Sequence, residues 1–129
     1  MRYRILFAIL FFTWLASLLV LTYFPDLPEM KIRVRDEWFR LDYLGHLGFY
    51  AGLAIFFIIW RTGWRAKIQR RIIIWSILSG LILGFATEFS QRAIPGRSFN
   101  PFDIMYNCIG ILIGIAMVYA LSRKVNSER

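Results

Sequence analysis

The sequence predicts an all-α polytopic membrane protein, a compact bundle of four transmembrane helices with both termini in the cytoplasm. Three observations predict it. Of the 129 residues, 58% are hydrophobic, above the ~45–50% usual in soluble proteins. The apolar residues fall in four blocks, at 5–24, 43–60, 72–89 and 103–121, each near the roughly 20 residues that span a bilayer core of about 30 Å. The basic residues are shared unevenly between the two sides that such helices create. The N-terminal segment, the connection between the second and third blocks and the tail hold ten Lys or Arg against one acid, Glu128, while the other segments hold six against seven. Cytoplasmic segments are the ones enriched in Lys and Arg, so both termini are expected inside, in a single domain over 1–129.

The first block follows Arg2 and Arg4, and a cleaved signal peptide is the competing reading. Its apolar part exceeds the ~7–15 residues of a signal core, and no A-x-A-like pair of small residues precedes Pro25. A retained helix is therefore expected. The second block follows LPEMKIRVRDEWFRLD (27–42), where charges alternate with apolar residues around Trp38 and Phe39. This stretch reads either as an amphipathic segment lying on the outer leaflet or as an interfacial connector anchored by its aromatic residues. The third block follows the basic loop of Arg61, Arg65, Lys67, Arg70 and Arg71, read as a topology determinant touching anionic lipid. The fourth opens with N-P-F-D: Asn100 as N-cap, Pro101 at the first helical position and Asp103 at the third. It also holds the sole cysteine, Cys108, which excludes an intramolecular disulfide and reads as a packing thiol.

Burying all four blocks in a soluble core would need a covering shell, for which the chain has no residues to spare. The net charge of +8 raises nucleic acid as a partner. Its concentration on one side of the membrane points to lipid instead, and no nucleic-acid partner is expected.

With the termini inside, the unusual polar residues gather at the outer ends of helices two, three and four. Asp42 and His46 are spaced i, i+4 with Tyr50 one turn further; Glu88 and Gln91 are i, i+3 with Thr87 and Ser90 beside them; Asp103 and Asn107 are i, i+4. Each set shares a helix face. Gly45 and Gly52, Gly80 and Gly84, and Gly110 and Gly114 follow the same faces. Small residues at such spacing let helix backbones approach closely in lipid, so the three faces are expected to turn toward one another. A charge at the bilayer centre costs at least ~2.5–3.5 kcal/mol, and inward orientation relieves that cost. Two readings stay open: the polar groups glue the helices together, or they line an outward-facing pocket. Asp103 is open in the same way, as a helix-cap partner or as a pocket member. In the connector, I-P-G-R (94–97) has tight-turn chemistry, with Gly96 suited to positive φ. Arg97 just ahead of a helix start can hold a phosphate or carboxylate together with free backbone N–H groups, or pair with Glu88 or Asp103.

These residues resemble a known family. DYLGHLGFYAGL (42–53) is similar to the D-K-x-x-H-F-x-x-Y pattern of VanZ-like membrane proteins, named for an accessory factor linked with teicoplanin resistance. GFATEFSQRAIPGRSFNPFDIMYNCIGILIG (84–114) is similar to their E-x-x-Q-x-x-x-P-G-R-x-x-x-x-x-D-x-x-x-N-x-x-G. The resemblance runs from Asp42 to about Tyr119 and puts Asp42, His46, Tyr50, Glu88, Gln91, Pro95, Gly96, Arg97, Asp103, Asn107 and Gly110 on motif positions. Tyr43 stands where lysine is usual and Leu47 where phenylalanine is usual, so no lysine role carries over. The resemblance implies a four-helix multi-pass domain of the bacterial cytoplasmic (inner) membrane, and a relation to glycopeptide resistance. It supplies no reaction.

The first functional expectation is an outward-facing site for an anionic envelope lipid or lipid-linked cell-wall precursor, which it binds and, in a stronger version, processes. Arg97 would meet the phosphate; Gln91, Asn107, Asp103 and Tyr50 would contact the headgroup; His46, with Asp42 or Glu88 fixing its tautomer, would be a general base. No serine or cysteine sits in a nucleophile motif. The sequence requires no cofactor; a variant of this reading uses a divalent metal on His46, Glu88 and Asp103. A second expectation is a non-enzymatic accessory or scaffold protein whose outer loop docks an envelope partner. A third is an ion- or proton-coupled transporter, against which the inner helix halves offer only Ser76 and Ser79, while Thr13 and Ser17 are expected to bond their own helix.

Overall fold

The structure is a computed structural model that describes residues 2–24, 31–34, 37–63, 67–95 and 98–127. Helix α1 spans Arg2–Tyr23, α2 Asp42–Thr62, α3 Arg70–Ser90 and α4 Pro101–Ser127. Each of the four expected blocks is a helix; seven of the eight ends run one to six residues beyond the expected bounds, while α1 stops one residue short of its own, and all four are long and apolar enough to cross a membrane. Large apolar side chains stand exposed along α1, α3 and α4, including Ile9, Phe12, Ile82, Phe85, Leu112 and Met117. In water such a surface would be an aggregation hazard; against hydrocarbon it is the matching solvent. The chain is a polytopic helical membrane protein.

Without a hydrophobic drive between helices, close contact must come from shape. Two glycines on α4 supply it. A Cβ at Gly110 would overlap the Leu47 carbonyl oxygen, and one at Gly114 the Ala51 carbonyl oxygen, so α4 lies on the bare backbone of α2. The α1–α2 contact is aromatic. Trp14 donates its indole N–H to the Phe49 carbonyl at 2.8 Å, and its ring fills the space that a Cβ on Gly52 would take. One turn away, the Phe11 and Trp60 rings stack at 5.3 Å. Helix α3 meets α4 where Gly80 faces Ile111 and Gly84 faces Asn107. The glycine expectation therefore holds for α3 and α4. It fails for α2, where Gly52 faces α1 and Gly45 faces open space, because Leu47, Ala51 and Ala54 form the side that meets α4.

Buried Leu18, Tyr50, Leu53, Ala54 and Ile111 form one half of the core; Ile58, Ile59, Ile72 and Val118 form the other. α2 and α4 run parallel and α1 antiparallel to α2, so the bundle has two unlike ends. One gathers the start of α2, the end of α3 and the start of α4; the other gathers the start of α1, the end of α2 and the start of α3.

Between α1 and α2 the chain forms a hairpin of β1, Lys31–Val34, and β2, Glu37–Arg40, paired antiparallel with Lys31 opposite Arg40 and Val34 opposite Glu37. The connector expected here takes the form of strands. The physical reason is visible in K-I-R-V, whose polar–apolar alternation has the period of two that suits a strand, and in the β-branched and aromatic residues of both segments. The Gly63 backbone, at φ +80°, ends α2 and bonds to the Ile59 carbonyl at 2.7 Å, a left-handed closure that glycine makes without strain.

Candidate functional site

The polar residues of α2, α3 and α4 meet at one end of the bundle. Asn100 caps α4 as expected: its Oδ1 accepts the Phe102 N–H at 3.1 Å, and its own amide donates to Asp103 Oδ1 at 3.0 Å. Asp103 thus fills the cap-partner role. Its other oxygen, Oδ2, lies 3.7 Å from His46 Nε2, so the same carboxylate also faces the imidazole across the α2–α4 contact. The two readings of Asp103 are compatible.

His46 is held from its other side by Asn107, whose Oδ1 lies 3.0 Å from Nδ1. An amide oxygen only accepts, so Nδ1 carries the hydrogen. Nε2 is then the nitrogen left to give or take a proton, and it is the one that faces Asp103. The neighbours of His46 include two that were not expected as its partners: Asn107 at Nδ1, and Asp103 as the carboxylate beside Nε2. Asp42 is drawn away by Arg40, whose Nε lies 3.1 Å from each carboxylate oxygen; the Arg40 guanidinium also sits 5.1 Å from the Tyr43 ring centroid. Glu88 Oε1 accepts the Asn100 backbone N–H at 2.6 Å, joining the end of α3 to the start of α4.

Tyr50 and Gln91 act between helices. Thr87 donates its hydroxyl to the Leu83 carbonyl at 2.9 Å, leaving its lone pairs for the Tyr50 hydroxyl at 3.1 Å. Gln91, in the short 3-10 turn Gln91–Ala93 that ends α3, donates to the Thr22 carbonyl of α1 at 3.1 Å. Tyr23 and Ser90 bond beside it at 2.7 Å. Arg97 and Gly96 lie outside the described residues. Arg92 stacks on Phe89 and Phe99, with its guanidinium 4.8 and 4.7 Å from their centroids.

The cluster is packed rather than open. Glu88 is 1% exposed, Gln91 and Asn107 2% and Asp103 5%, whereas the His46 side chain remains 20% exposed at the rim. Access to the network is therefore at the imidazole. Among the described residues, no three His, Cys, Asp or Glu side chains are grouped as metal ligands would be: His46 and Asp103 are neighbours, while Glu88 turns to Asn100. Nothing in this donor set favours the expected metal triad.

Sequence reasoning missed Arg40 as part of this end, because it precedes the helix and lies two residues from Asp42, outside any helical spacing. It also missed that Asn100 links Glu88 to Asp103. The N-cap motif was the available signal, since a capping residue turns its backbone N–H away from its own helix.

A membrane-length bundle with carboxylates and amides buried beside a partly exposed imidazole at one end defines a class: a polytopic membrane protein with a preformed polar centre. The family model described as VanZ/LLP1 matches residues 4–122, and the chain belongs to that family. No curated protein and no solved structure matches it.

Proposed function

We propose that the polar end binds the phosphate-bearing headgroup of an anionic envelope amphiphile, a phospholipid or a lipid-linked cell-wall precursor. The convergence of His46, Asn107, Asp103, Asn100 and Glu88 from α2, the α4 cap, α3 and α4 in one linked network carries this reading. Ionisable groups in a membrane bundle are costly, and the glycine and aromatic contacts of these helices already supply close packing.

The layout beneath the network supports an amphiphile. A cavity of about 200 Å³ is lined by Leu53, Ala54, Ser76, Gly80, Leu83 and Ile111, among others; Leu53 and Ile111 stand three and four residues deeper than Tyr50 and Asn107. An apolar cavity of roughly this size, near 150 Å³, stays dry and accepts a hydrocarbon ligand. Ser17 and Ser79 donate to carbonyls of their own helices. Ser76 Oγ, in contrast, is buried with no hydrogen-bond partner among the described residues. Polar groups above an apolar slot match a headgroup above its chain.

In this reading His46 Nε2 is the proton-handling atom at the rim, 3.7 Å from Asp103 Oδ2. Arg97, three residues before Asn100 in the chain, is proposed to meet the phosphate. The basic end faces the cytoplasm and the polar end the outside of a bacterial cytoplasmic membrane, as the charge asymmetry favours. A scaffold reading is favoured by one observation: Glu88 and Gln91 each bond across helices, as pure glue would.

Native mass spectrometry of gently extracted protein separates the two. Binding predicts a co-purifying phosphate-bearing lipid that falls at least tenfold in both Arg97→Ala and His46→Ala while the variants stay folded. Identical spectra for wild type and both variants would leave only the scaffold.

A further inference from the structure

The opposite end of the bundle carries a second cavity, about 310 Å³, lined by Arg4 of α1, Trp60 and Arg61 of α2, Lys67 and Gln69 of the connection, and Arg71 of α3. Four cations from distant parts of the chain converge there. Among the described residues no carboxylate offsets them: Asp42, Glu88 and Asp103, the carboxylates whose side chains are described, all belong to the other end. Like charges gathered on a concave surface raise a positive potential that an anion relieves.

A topology signal needs only basic residues in a loop. It does not need Arg4, at the start of α1, and Arg71, in the first turn of α3, to border the same cavity as Arg61 and Lys67. The Arg61 guanidinium lies 5.6 Å from the Trp60 ring centroid; stacking on a ring leaves the in-plane N–H donors available, and those donors match phosphate oxygens in pairs. The start of α3 adds to this. Gln69 gives it no side-chain cap, and the first backbone bonds come from Ile72 and Ile73. The N–H groups of the helix start before them are thus outside the ladder, where a negative charge is favoured. Tryptophan at a helix end marks headgroup depth, which sets this cavity at the level of lipid phosphates.

We propose that this end is a second binding site, independent of the polar network, for a phosphate-bearing anion. Arg61 and Arg71 grip the phosphate oxygens, and Arg4 and Lys67 supply further charge. Basic pockets between transmembrane helices hold anionic headgroups elsewhere by the same chemistry. A soluble pyrophosphate-type anion would use the same contacts.

The test is thermal unfolding of the full chain in a neutral detergent, titrated in separate arms with short-chain phosphatidylglycerol, phosphatidylcholine of equal length, and inorganic pyrophosphate. The wild type should be stabilised saturably by phosphatidylglycerol and not by phosphatidylcholine. The combined Arg61→Gln, Lys67→Gln, Arg71→Gln variant should need at least ten times more ligand. Arg123→Gln, Lys124→Gln, which removes charge from α4 outside the cavity, should titrate as wild type. Stabilisation by pyrophosphate as strong as by the lipid supports the site and assigns it to a soluble anion; stabilisation by the lipid alone assigns it to the headgroup. Should the triple variant fail to fold, Lys67→Gln and Arg71→Gln alone each still predict a several-fold weakening. No anion-specific stabilisation of the wild type, or equal weakening in the α4 variant, overturns the proposal.

Discussion

The two ends of this bundle handle charge in opposite ways. At the polar end Glu88, Asp103 and Asn107 are buried and bonded into a network. At the basic end Arg4, Arg61, Lys67 and Arg71 are exposed around a cavity. Folding energy and binding capacity therefore reside at different ends. A buried carboxylate must find its partners for the helices to assemble at all, so the polar end is fixed by the fold. Exposed cations cost little whether or not they are paired, so the basic end can remain poised for a ligand.

Substitutions at the two ends should differ in what they cost. The largest loss should come from between the ends: Gly110→Leu drives a side chain into the Leu47 carbonyl, and overpacking against backbone should cost about 3 kcal/mol or more, read as loss of folded protein in detergent. Glu88→Ala leaves the Asn100 N–H without its acceptor and should cost about 2 kcal/mol in reversible unfolding, with Glu88→Gln recovering much of it because an acceptor oxygen is kept. Asn100→Ala removes the α4 cap and should cost about 1 kcal/mol. The smallest effect belongs to the basic end, where Arg71→Gln should change stability by no more than about 0.5 kcal/mol. A basic-end substitution as costly as Glu88→Ala would erase the distinction.

Much of this architecture was legible in the residues. Four apolar runs gave four helices because spanning length and the backbone's need for internal hydrogen bonds leave few alternatives. Asn100-Pro101 marked the start of α4, and Ser17 bonds back to the Thr13 carbonyl at 3.0 Å as its type suggests. Helical spacing brought His46, Asp103 and Asn107 to one face each, and the fold brings those faces together. What spacing could not supply was partner choice. Asp42 and His46 share a face, yet Arg40, arriving from strand β2, captures Asp42. Gly45 shares a face with Gly52, but it stands at the end of α2 beyond the reach of α1. The hairpin was not legible because alternating charged and apolar residues suit an interfacial segment as well as a strand.

The polar end depends on the imidazole of α2 and the amide of α4 being joined. A double-mutant cycle of His46→Ala and Asn107→Ala, measured by reversible unfolding in detergent, tests it most directly. Joined side chains predict that the two losses fail to add by about 1 kcal/mol. Losses that add to within about 0.3 kcal/mol would contradict it.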